Sequence, residues 1–539
     1  MSVTYSCINI LLEIMIKIIQ PAVKQLIFVF LVFSFVLFLH SCKEIHRNST
    51  HKDVSIESIK KGKELAKLYC QTCHQLPDPS LLDSKSWEKG VLPEMGPRLG
   101  IFRNRFQIYP ITRDAYIGRD FYPSIPMVKL SEWQNILDYY EATSPDSLPP
   151  QKRKYPIEIG LPFFKVEIPK INYERPATCY VKINSKDSLH PIIIADAIKK
   201  NLYFVNRNLQ ITDSIKTGGP IVNIDFEKNK LLACNIGILN PNNGKFGKGE
   251  FININTDGKP YIDTTTTIDS LERPVQITPV DLNNDGKTDY LVCEFGNLKG
   301  ALSWMENLGN NKFKRHVIRE IPGAIKAYVQ DYNHDGLPDI WALFAQGDEG
   351  IFLFTNKGNG NFEQREVLSF PPSYGSSSFE LDDFNKDGYP DILYTCGDND
   401  DFSPILKPYH GVYIFMNDGT NHFKQKFFYP IDGCYKAMAR DFDGDGNLDI
   451  ATIAFFADYV HQPEESFVYF KNKGNFDFQP YSFREANMGR WISMDVDDLD
   501  GDGKPDIILG NFSVGPMIMK YKSDWKNNPP FIILKNIGK

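Results

Sequence analysis

The sequence predicts a multidomain protein in which a small all-α domain is followed by an all-β domain of repeated units. Three observations support this fold class. Apolar residues recur at helical spacing between about residues 55 and 144. A nine-residue acidic motif then returns five times from residue 281 onward. Short apolar runs, rich in aromatic residues and bounded by Gly and Asn, follow each copy, and such runs are typical of strands.

Composition sets the class of protein and excludes some functions. The chain has 539 residues, of which 42% are hydrophobic and 24% charged, so it is long enough for several globular domains. The formal charge of −7 gives no electrostatic reason to expect a nucleic-acid partner. Nine Cys in this length are too few for a disulfide scaffold.

The N-terminal residues have the pattern of a signal peptide. Leu26–Leu39 is a nearly continuous apolar run, too short to span a bilayer comfortably, and Lys17 and Lys24 precede it. A start at Met15 would give an ordinary signal-peptide length. The run ends in Leu39-His40-Ser41-Cys42, which resembles a bacterial lipobox with Cys42 as the lipidated residue. A plain signal peptide or an uncleaved anchor is the alternative.

The lipobox resemblance implies an exported lipoprotein. We expect residues 1–41 to be the signal peptide and residues 42–54 a polar tether. The lipid would hold the protein on the outer membrane, facing the periplasm or the cell surface.

The next segment carries a haem-attachment motif. Apolar and small residues between Ile59 and Tyr69 recur at helical spacing and lead into Cys70-Gln71-Thr72-Cys73-His74. This C-x-x-C-H pattern is the c-type haem attachment signature. Two thiols one turn apart can form thioethers with the haem vinyl groups, and the adjacent His can reach the iron. A zinc half-site or a redox pair is the alternative, but no second ligand pair follows at usable spacing.

A Met downstream of the motif is the expected second axial ligand. Met127, in Ser124-Ile125-Pro126-Met127, precedes an apolar stripe from Trp133 to Tyr140, for which Ser131 is the expected N-cap. This arrangement resembles bacterial class I cytochromes c, so residues 55–144 are expected to be a cytochrome c domain. Met95 is the rival ligand, and either Met could instead fill the core. His/Met ligation leaves no open iron position and favours one-electron transfer.

Residues 145–170 are predicted to be a linker, because Pro145, Pro149 and Pro150 adjoin a polar stretch. The acidic motif beyond it has oxygen-bearing residues at positions 1, 3, 5 and 9 and Gly at position 6, the pattern of a calcium loop. Its copies begin at 281, 331, 383, 441 and 498. The predicted calcium ligands are Asp281, Asn283, Asp285, Asp289; Asp331, Asn333, Asp335, Asp339; Asp383, Asn385, Asp387, Asp391; Asp441, Asp443, Asp445, Asp449; and Asp498, Asp500, Asp502, Asp506.

These loops are not EF-hands, because position 12 carries no Glu and lies inside a predicted strand. They resemble the calcium loops of FG-GAP (VCBS-type) repeats, as in the integrin α-subunit propeller, and Phe295-Gly296 followed by Gly300-Ala301 resembles the motif that names that family. The resemblance implies up to five bound Ca²⁺. Asx-turns without metal are the alternative.

The repeats predict a seven-bladed propeller over residues 171–539, with six or eight blades as alternatives. Two degenerate units are predicted before the first complete loop, one around Ile192–Asp196 and one beginning at Asp225. Phe531–Leu534 would close the last blade. Four basic residues lie just upstream of calcium loops, where they could ring the axis and hold an anion: Arg273, Lys326, Lys436 and Arg490. Surface charge is the favoured interpretation of that set.

Together these features predict an exported haem c electron-transfer lipoprotein whose calcium-stabilised propeller binds a partner or substrate. A redox partner protein is expected, and a small-molecule, glycan or protein ligand on the propeller is left open. One alternative is a haem-linked dehydrogenase with the propeller as catalytic domain. It resembles the quinohaemoprotein dehydrogenases, but the six Trp lack the regular period of their docking motifs. The other alternative is an adhesion or glycan-binding propeller. Whether the protein is an enzyme stays open, with an electron carrier favoured.

Overall fold

The structure is a computed structural model that describes residues 47–227, 230–400 and 402–538. The predicted signal peptide and the lipidation site at Cys42 lie outside the described residues. Within the described ranges, no helix is both long enough and apolar enough to cross a bilayer.

Residues 56–143 form a small helical segment with its own apolar core. Its helices are α1 (Ile56–Tyr69), α2 (Ser84–Ser86), α3 (Leu92–Met95) and α4 (Leu130–Thr143), with short 3-10 turns at Cys70–Thr72, Pro79–Leu81 and Gly96–Leu99 and a π turn at Trp87–Val91. Helix α1 packs against α4, and their approach is close, because a Cβ on Gly62 would meet the backbone of Asn135. Trp87 and Trp133 fill the core between the helices.

The helical segment departs from the prediction in three ways. Helix α4 begins at Leu130, so Ser131 lies in its first turn and is not the N-cap; the Glu132 side chain accepts a hydrogen bond from the Lys129 N–H instead. The segment is not purely helical, since β1 (Arg103–Asn104) and β2 (Gln107–Ile108) form a two-stranded ribbon. It is also not clearly separate, because Ile405 of the β domain packs against its core.

Residues 158–536 form a seven-bladed β-propeller. Its strands are β3 (Glu158–Ile159), β4 (Phe164–Glu167), β5 (Thr178–Ile183), β6 (Ile192–Asp196), β7 (Asn201–Val205), β8 (Ile211–Lys216), β9 (Ile221–Glu227), β10 (Lys230–Asn235), β11 (Gly247–Ile254), β12 (Pro260–Leu271), β13 (Pro274–Val280), β14 (Asp289–Glu294), β15 (Ala301–Gly309), β16 (Lys312–Arg319), β17 (Ala324–Gln330), β18 (Asp339–Phe344), β19 (Gly350–Asn356), β20 (Phe362–Ser369), β21 (Ser376–Asp382), β22 (Asp391–Cys396), β23 (Gly411–Asn417), β24 (Phe423–Pro430), β25 (Cys434–Arg440), β26 (Asp449–Ala454), β27 (Phe467–Asn472), β28 (Phe478–Ser482), β29 (Trp491–Asp497), β30 (Asp506–Asn511) and β31 (Phe531–Asn536).

Each blade is an antiparallel sheet that begins with an inner strand near the axis. Blades 1 to 6 begin with β5, β9, β13, β17, β21 and β25, and blade 7 begins with β29. The inner strands contact one another in a closed ring, from β5 through β29 and back to β5. Apolar side chains fill the space between neighbouring blades, so each sheet buries its faces against the next.

The ring closes with a strand that precedes blade 1 in the sequence. Strand β4 pairs with β31 and supplies the outer strand of blade 7, while β3 adds a parallel edge strand to blade 6. Phe531–Leu534 therefore lies in the last blade as expected, in its third strand. Both β3 and β4 fall inside the stretch 145–170 that the sequence assigned to the linker, so the sheets begin before residue 171.

The two faces of the propeller carry different features. The acidic loops join the first and second strands of blades 3 to 7 and lie on one face. On the opposite face, the loops between second and third strands contact the helical segment. There Asn243 donates a hydrogen bond to Asp114 at 2.8 Å, and Lys299 donates one to the Tyr116 carbonyl at 3.1 Å. The Tyr409 hydroxyl donates to the Leu81 carbonyl at 3.0 Å.

Candidate functional site

The two cysteines of the haem motif lie where helix α1 ends. Cys70 is the C-cap residue of α1, and Cys73 follows in the next turn, where its N–H donates to the Cys70 carbonyl. Burial, reinforced by the nearby Cys73 thiol, raises the pKa of Cys70 to about 11, whereas Cys73 is exposed. His74 Nδ1 lies 2.8 Å from the Gln75 carbonyl oxygen. In the tautomer that donates this bond, Nε2 carries the free lone pair that an axial ligand needs.

A cation lies beside the motif. Arg98 is close enough to Cys73 for the two groups to influence each other electrostatically, although burial is the main reason that the Arg98 pKa is lowered. Its guanidinium lies 4.6 Å from the centre of the Phe121 ring and 5.8 Å from that of Tyr122. Guanidinium groups bind carboxylates in bidentate geometry, so Arg98 suits a haem propionate.

The two candidate Met ligands have different surroundings. Met127 is 53% exposed, and its N–H donates to the Leu99 carbonyl at 2.9 Å, next to Arg98 in the chain. Ile125, two residues earlier, is 79% exposed. Met95 instead packs against the apolar core of the helical segment. The donor set of Cys70, Cys73, His74 and Met127 would fit a haem c, and Met95 packs against the apolar core.

All five acidic loops have the same backbone geometry. The Gly at position 6 has a positive φ in each loop, between 81° and 89°. In four of the five loops, an added Cβ at this Gly would meet nothing within 4 Å. The left-handed backbone conformation, and not steric crowding, therefore explains why Gly occupies this position. The N–H of this Gly donates to the position-1 carboxylate in each loop, at 2.8 or 2.9 Å. The residue at position 4 is also left-handed in all five loops, a feature that the sequence analysis missed.

The Asp at position 9 ties its loop to the sheet. In blade 3, Asp289 Oδ1 accepts the Asn307 N–H at 2.8 Å and Asp289 Oδ2 accepts the Leu282 N–H at 3.2 Å. The Asn307 side chain in turn donates to the Thr288 carbonyl at 3.0 Å. Equivalent bonds from Asn to the position-9 Asp recur in blades 4 to 7. The side-chain bond to the position-8 carbonyl recurs in blades 4 to 7 and explains the Asn at or near the end of the third strand in blades 3 to 7.

Carboxylates converge in the loops of blades 6 and 7. Ligand atoms of Asp441, Asp443 and Asp445 all lie within 4.8 Å of one another, as do those of Asp498, Asp500 and Asp506. The remaining three loops have Asn at position 3. Position 1 is half-buried, position 5 exposed and position 9 buried in every loop. Oxygen donors at this spacing fit Ca²⁺.

Burial raises the pKa of the position-9 Asp in each loop, to about 6 for Asp391 and Asp506 and to about 7 for Asp449. The charges of the other loop carboxylates raise it further. The structure therefore brings all twenty predicted ligands into five equivalent loops, where a divalent cation would relieve the repulsion among them.

A lysine accompanies Asp wherever Asp occupies position 3. Lys471 Nζ lies 2.6 Å from Asp443, and Lys535 Nζ lies 2.5 Å from Asp500. Both lysines immediately precede the strand-ending Asn. In the three loops with Asn at position 3, the equivalent residue is Glu306, Thr355 or Met416. The net charge can be summed over positions 1, 3, 5 and 9 and the residue before the Asn. By this sum, the two loops with Asp at position 3 and Lys before the Asn have the same net charge as the two loops with Asn at position 3 and Thr or Met before the Asn.

Comparison with known families agrees with the repeated loops. The model of the FG-GAP-like repeat matches residues 281–342 and 331–394. This propeller therefore contains FG-GAP-like repeats. The matched residues cover the acidic loops of blades 3, 4 and 5.

Three solved structures of low sequence identity are similar to this chain. The WD40 domain of Neurospora crassa Pan2 has 12% identity and a TM-score of 0.42, covering 71% of this chain and 98% of that one. Saccharomyces cerevisiae Sqt1 has 7% identity and a TM-score of 0.43, covering 69% and 99%. BBS1N, solved in complex with ARL6DN, has 10% identity and a TM-score of 0.42, covering 71% and 98%.

Proposed function

We propose that this protein is an exported electron-transfer protein. It carries one covalent haem c on the helical segment, and its calcium-stabilised propeller binds a redox partner. The observation that carries the proposal is the Cys70/Cys73/His74 motif at the end of α1, with Arg98 beside it and an exposed Met127 bonded to the neighbouring Leu99. When bound, haem c supplies a one-electron couple.

The residues of this chain hold and insulate the cofactor. The two thiols fix it covalently, which keeps it bound outside the cell. The Gln75 carbonyl would orient His74 through Nδ1, and Met127, whose N–H is bonded to the Leu99 carbonyl, would supply the second iron ligand. Ligation by both His74 and Met127 would suit the group to one-electron transfer and not to oxygen binding.

Haem staining after denaturing electrophoresis tests covalent attachment in protein produced with a cytochrome c maturation system. Cys70→Ser with Cys73→Ser should abolish the stain. Met127→Ala should remove the weak long-wavelength band of His/Met ferric haem and leave the stain, whereas the matched Met95→Ala should keep that band. The reverse result for the two Met variants would overturn the ligand assignment, and an unstained wild-type protein would overturn the haem proposal itself.

The lipid anchor at Cys42 and the outer-membrane location belong to the same proposal. A Cys42→Ser variant should move from the membrane fraction to the soluble fraction. Retention in the membrane would mean that the uncleaved apolar run is the anchor.

The calcium proposal assigns the five loops a structural role. They lie on the face of the propeller opposite to the helical segment, so calcium would stabilise the fold without contacting haem. Propeller folds commonly bind protein partners, and the redox partner is proposed to dock on this propeller.

A haem-linked dehydrogenase is the second candidate, and one observation favours it. The central cavity is lined by Leu239, Phe295 and Asp400, on the same inter-strand loops whose neighbouring residues contact the helical segment. A substrate in this cavity would therefore lie on the haem side of the propeller. Reduction of the haem by an alcohol or sugar added to the full-length protein would support an enzyme, and a haem reduced only by protein donors would exclude those two substrate classes.

A further inference from the structure

The propeller encloses a cavity of about 1640 Å³ along its axis, lined by all seven inner strands. Each inner strand has a register shift just after its first residue, and the residue that follows the shift lines the cavity. These seven equivalent residues form what we call the axial ring: Tyr180, Asn223, Gln276, Lys326, Ser378, Lys436 and Ser493.

Three consecutive blades contribute two lysines with a serine between them. Lys326, Ser378 and Lys436 stand opposite Leu343, Thr395 and Ile453 of the neighbouring strands, at the same register in blades 4, 5 and 6. The three side chains are therefore at one level of the cavity wall.

Nearby charges pair in a way that leaves this level positive. Lys182 forms an ion pair with Asp495 at 3.1 Å, and Arg440 forms one with Glu380 at 3.3 Å. Among the described residues, Asp225 is a further carboxylate that influences Lys326, and Asp382 lies with Glu380 beside Arg440.

The two ring lysines have donors to spare. Lys436 Nζ donates one hydrogen bond, to the Met494 carbonyl at 2.8 Å, and has two further N–H groups. Lys326 Nζ has no hydrogen bond or ion pair with any residue in the described ranges, and its nearest ring is that of Tyr328, at 5.0 Å. Two ammonium groups with unused donors at one level of the wall can bind a negatively charged ligand group.

The two arginines that also precede calcium loops have other roles. Arg273 donates to the Leu239 and Gly296 carbonyls, and Arg490 donates to the Phe455 and Val514 carbonyls. Both guanidinium groups hold loops at the mouth of the cavity, so they do not join the axial ring.

Apolar side chains line the helical-segment side of the axial ring, together with the charged side chains of Arg273, Asp398 and Asp400. Val275, Ile325 and Ile492 line the cavity there, and Phe455 and Phe512 line its mouth. A ligand that enters past these side chains would have an apolar or aromatic body behind its charged head.

We propose that Lys326, Ser378 and Lys436 bind the carboxylate of a small organic acid whose apolar or aromatic body lies along the wall towards the mouth. The ammonium groups and the hydroxyl would supply charge-assisted and neutral hydrogen bonds to the two carboxylate oxygens. The proposal does not depend on the haem.

Isothermal titration of the full-length protein tests this site with benzoate as the probe. The neutral analogue benzamide and inorganic phosphate serve as comparison ligands. We expect one benzoate per chain, and at least tenfold weaker binding of both comparison ligands. Lys326→Gln and Lys436→Gln should each weaken benzoate binding about tenfold, the loss expected for one charge-assisted hydrogen bond. The matched control Lys424→Gln, on the exposed outer strand of blade 5, should bind as the wild type does.

Several outcomes would overturn the proposal. The first is a wild-type protein that does not bind benzoate. The second is benzamide or phosphate binding that is as tight as benzoate binding. The third is unchanged benzoate affinity in both ring variants. If the ring variants do not fold, as judged by their melting curves, the wild-type comparison of benzoate with benzamide still decides. Ser378→Ala, which keeps both charges, should then give a severalfold loss, and no loss would count against the site.

Discussion

Removal of the proposed calcium ions should destabilise the propeller while leaving the helical segment intact. The perturbation is excess chelator added to the calcium-saturated protein. Without the cation, the loop of blade 6 holds Asp441, Asp443 and Asp445 with ligand oxygens within 4.8 Å. Two unit charges at that distance repel by about 1 kcal/mol in water and by roughly 3 kcal/mol at an effective dielectric constant of 20.

Mass action gives the size of the effect. With calcium at about 1 mM and a Kd on the order of 10⁻⁴ M, each site adds roughly 1.4 kcal/mol to the free energy of unfolding. Five independent sites would add roughly 7 kcal/mol. The propeller from Phe164 to Gly538 has about 375 residues, so its unfolding entropy is roughly 0.8 kcal/mol per kelvin, and the melting temperature should fall by about 9 °C.

Differential scanning calorimetry measures the shift, and haem absorbance followed during the same chelation reports on the helical segment. Asp445→Ala should lower the melting temperature by about 2 °C in calcium, since it disables one site of five, and should have little effect in chelator. Glu366→Ala, an exposed carboxylate on the outer strand β20, is the matched control. A melting curve that chelator leaves unchanged would refute the calcium assignment and leave the loops as Asx-turns.

Three further predictions follow from particular residues. First, the double variant Asp443→Asn with Lys471→Thr gives the blade 6 loop the composition of the blade 4 loop, so its calcium affinity, measured by isothermal titration, should stay within a few-fold of wild type. The single variant Asp443→Asn should bind calcium more weakly. An equal loss of affinity in both variants would refute charge compensation. Second, burial raises the pKa of Glu141 to about 7 from 4.5, and Glu88 and Asp138 add to the shift. Because the folded state prefers the protonated acid, the free energy of unfolding should fall as pH rises from about 4.5 to about 7. Glu141→Gln should remove that fall and should be more stable than wild type by up to about 3 kcal/mol above pH 7. Parallel pH–stability curves for the two proteins would contradict this. Third, burial lowers the pKa of Lys436 to about 8, with the Lys326 and Lys182 charges lowering it and those of Asp495 and Glu380 raising it. Benzoate affinity should therefore fall as pH rises through about 8, and a constant affinity to pH 9 would count against Lys436 as its partner.

The number of blades could be predicted from the sequence because the repeat is local. Each acidic loop fixes one turn, and the apolar runs on both sides fix the first strands of a blade. The closing strand β4 could not be found in this way, because Phe164–Glu167 pairs with Asn536 and its neighbours, more than 360 residues later in the chain. Its local pattern does not specify a partner, and the adjacent prolines suggested a linker.

The pairing register of the inner strands could not be predicted from the sequence either, because it too depends on contacts between strands. Asp225 was expected to open a degenerate loop, but it lies within the inner strand β9 and lines the cavity. The bulge after the first residue of each inner strand determines which residues line the cavity, and it depends on hydrogen bonding between strands, which the sequence does not display. The lysines of the axial ring therefore appeared only as basic residues upstream of loops.

The pattern of Asp and Asn in the five loops favours calcium over metal-free Asx-turns. An Asx-turn needs one acceptor oxygen, which Asn supplies as well as Asp does. Yet positions 1, 5 and 9 are Asp in all five loops, and position 3 alone varies between Asn and Asp. Where position 3 is Asp, a lysine from the adjacent strand restores the charge balance. Loops that needed only turns would gain nothing from three or four carboxylates each. In blades 6 and 7 three of these carboxylates converge, and their repulsion without a cation is unfavourable, so their repeated use supports the proposed divalent ion.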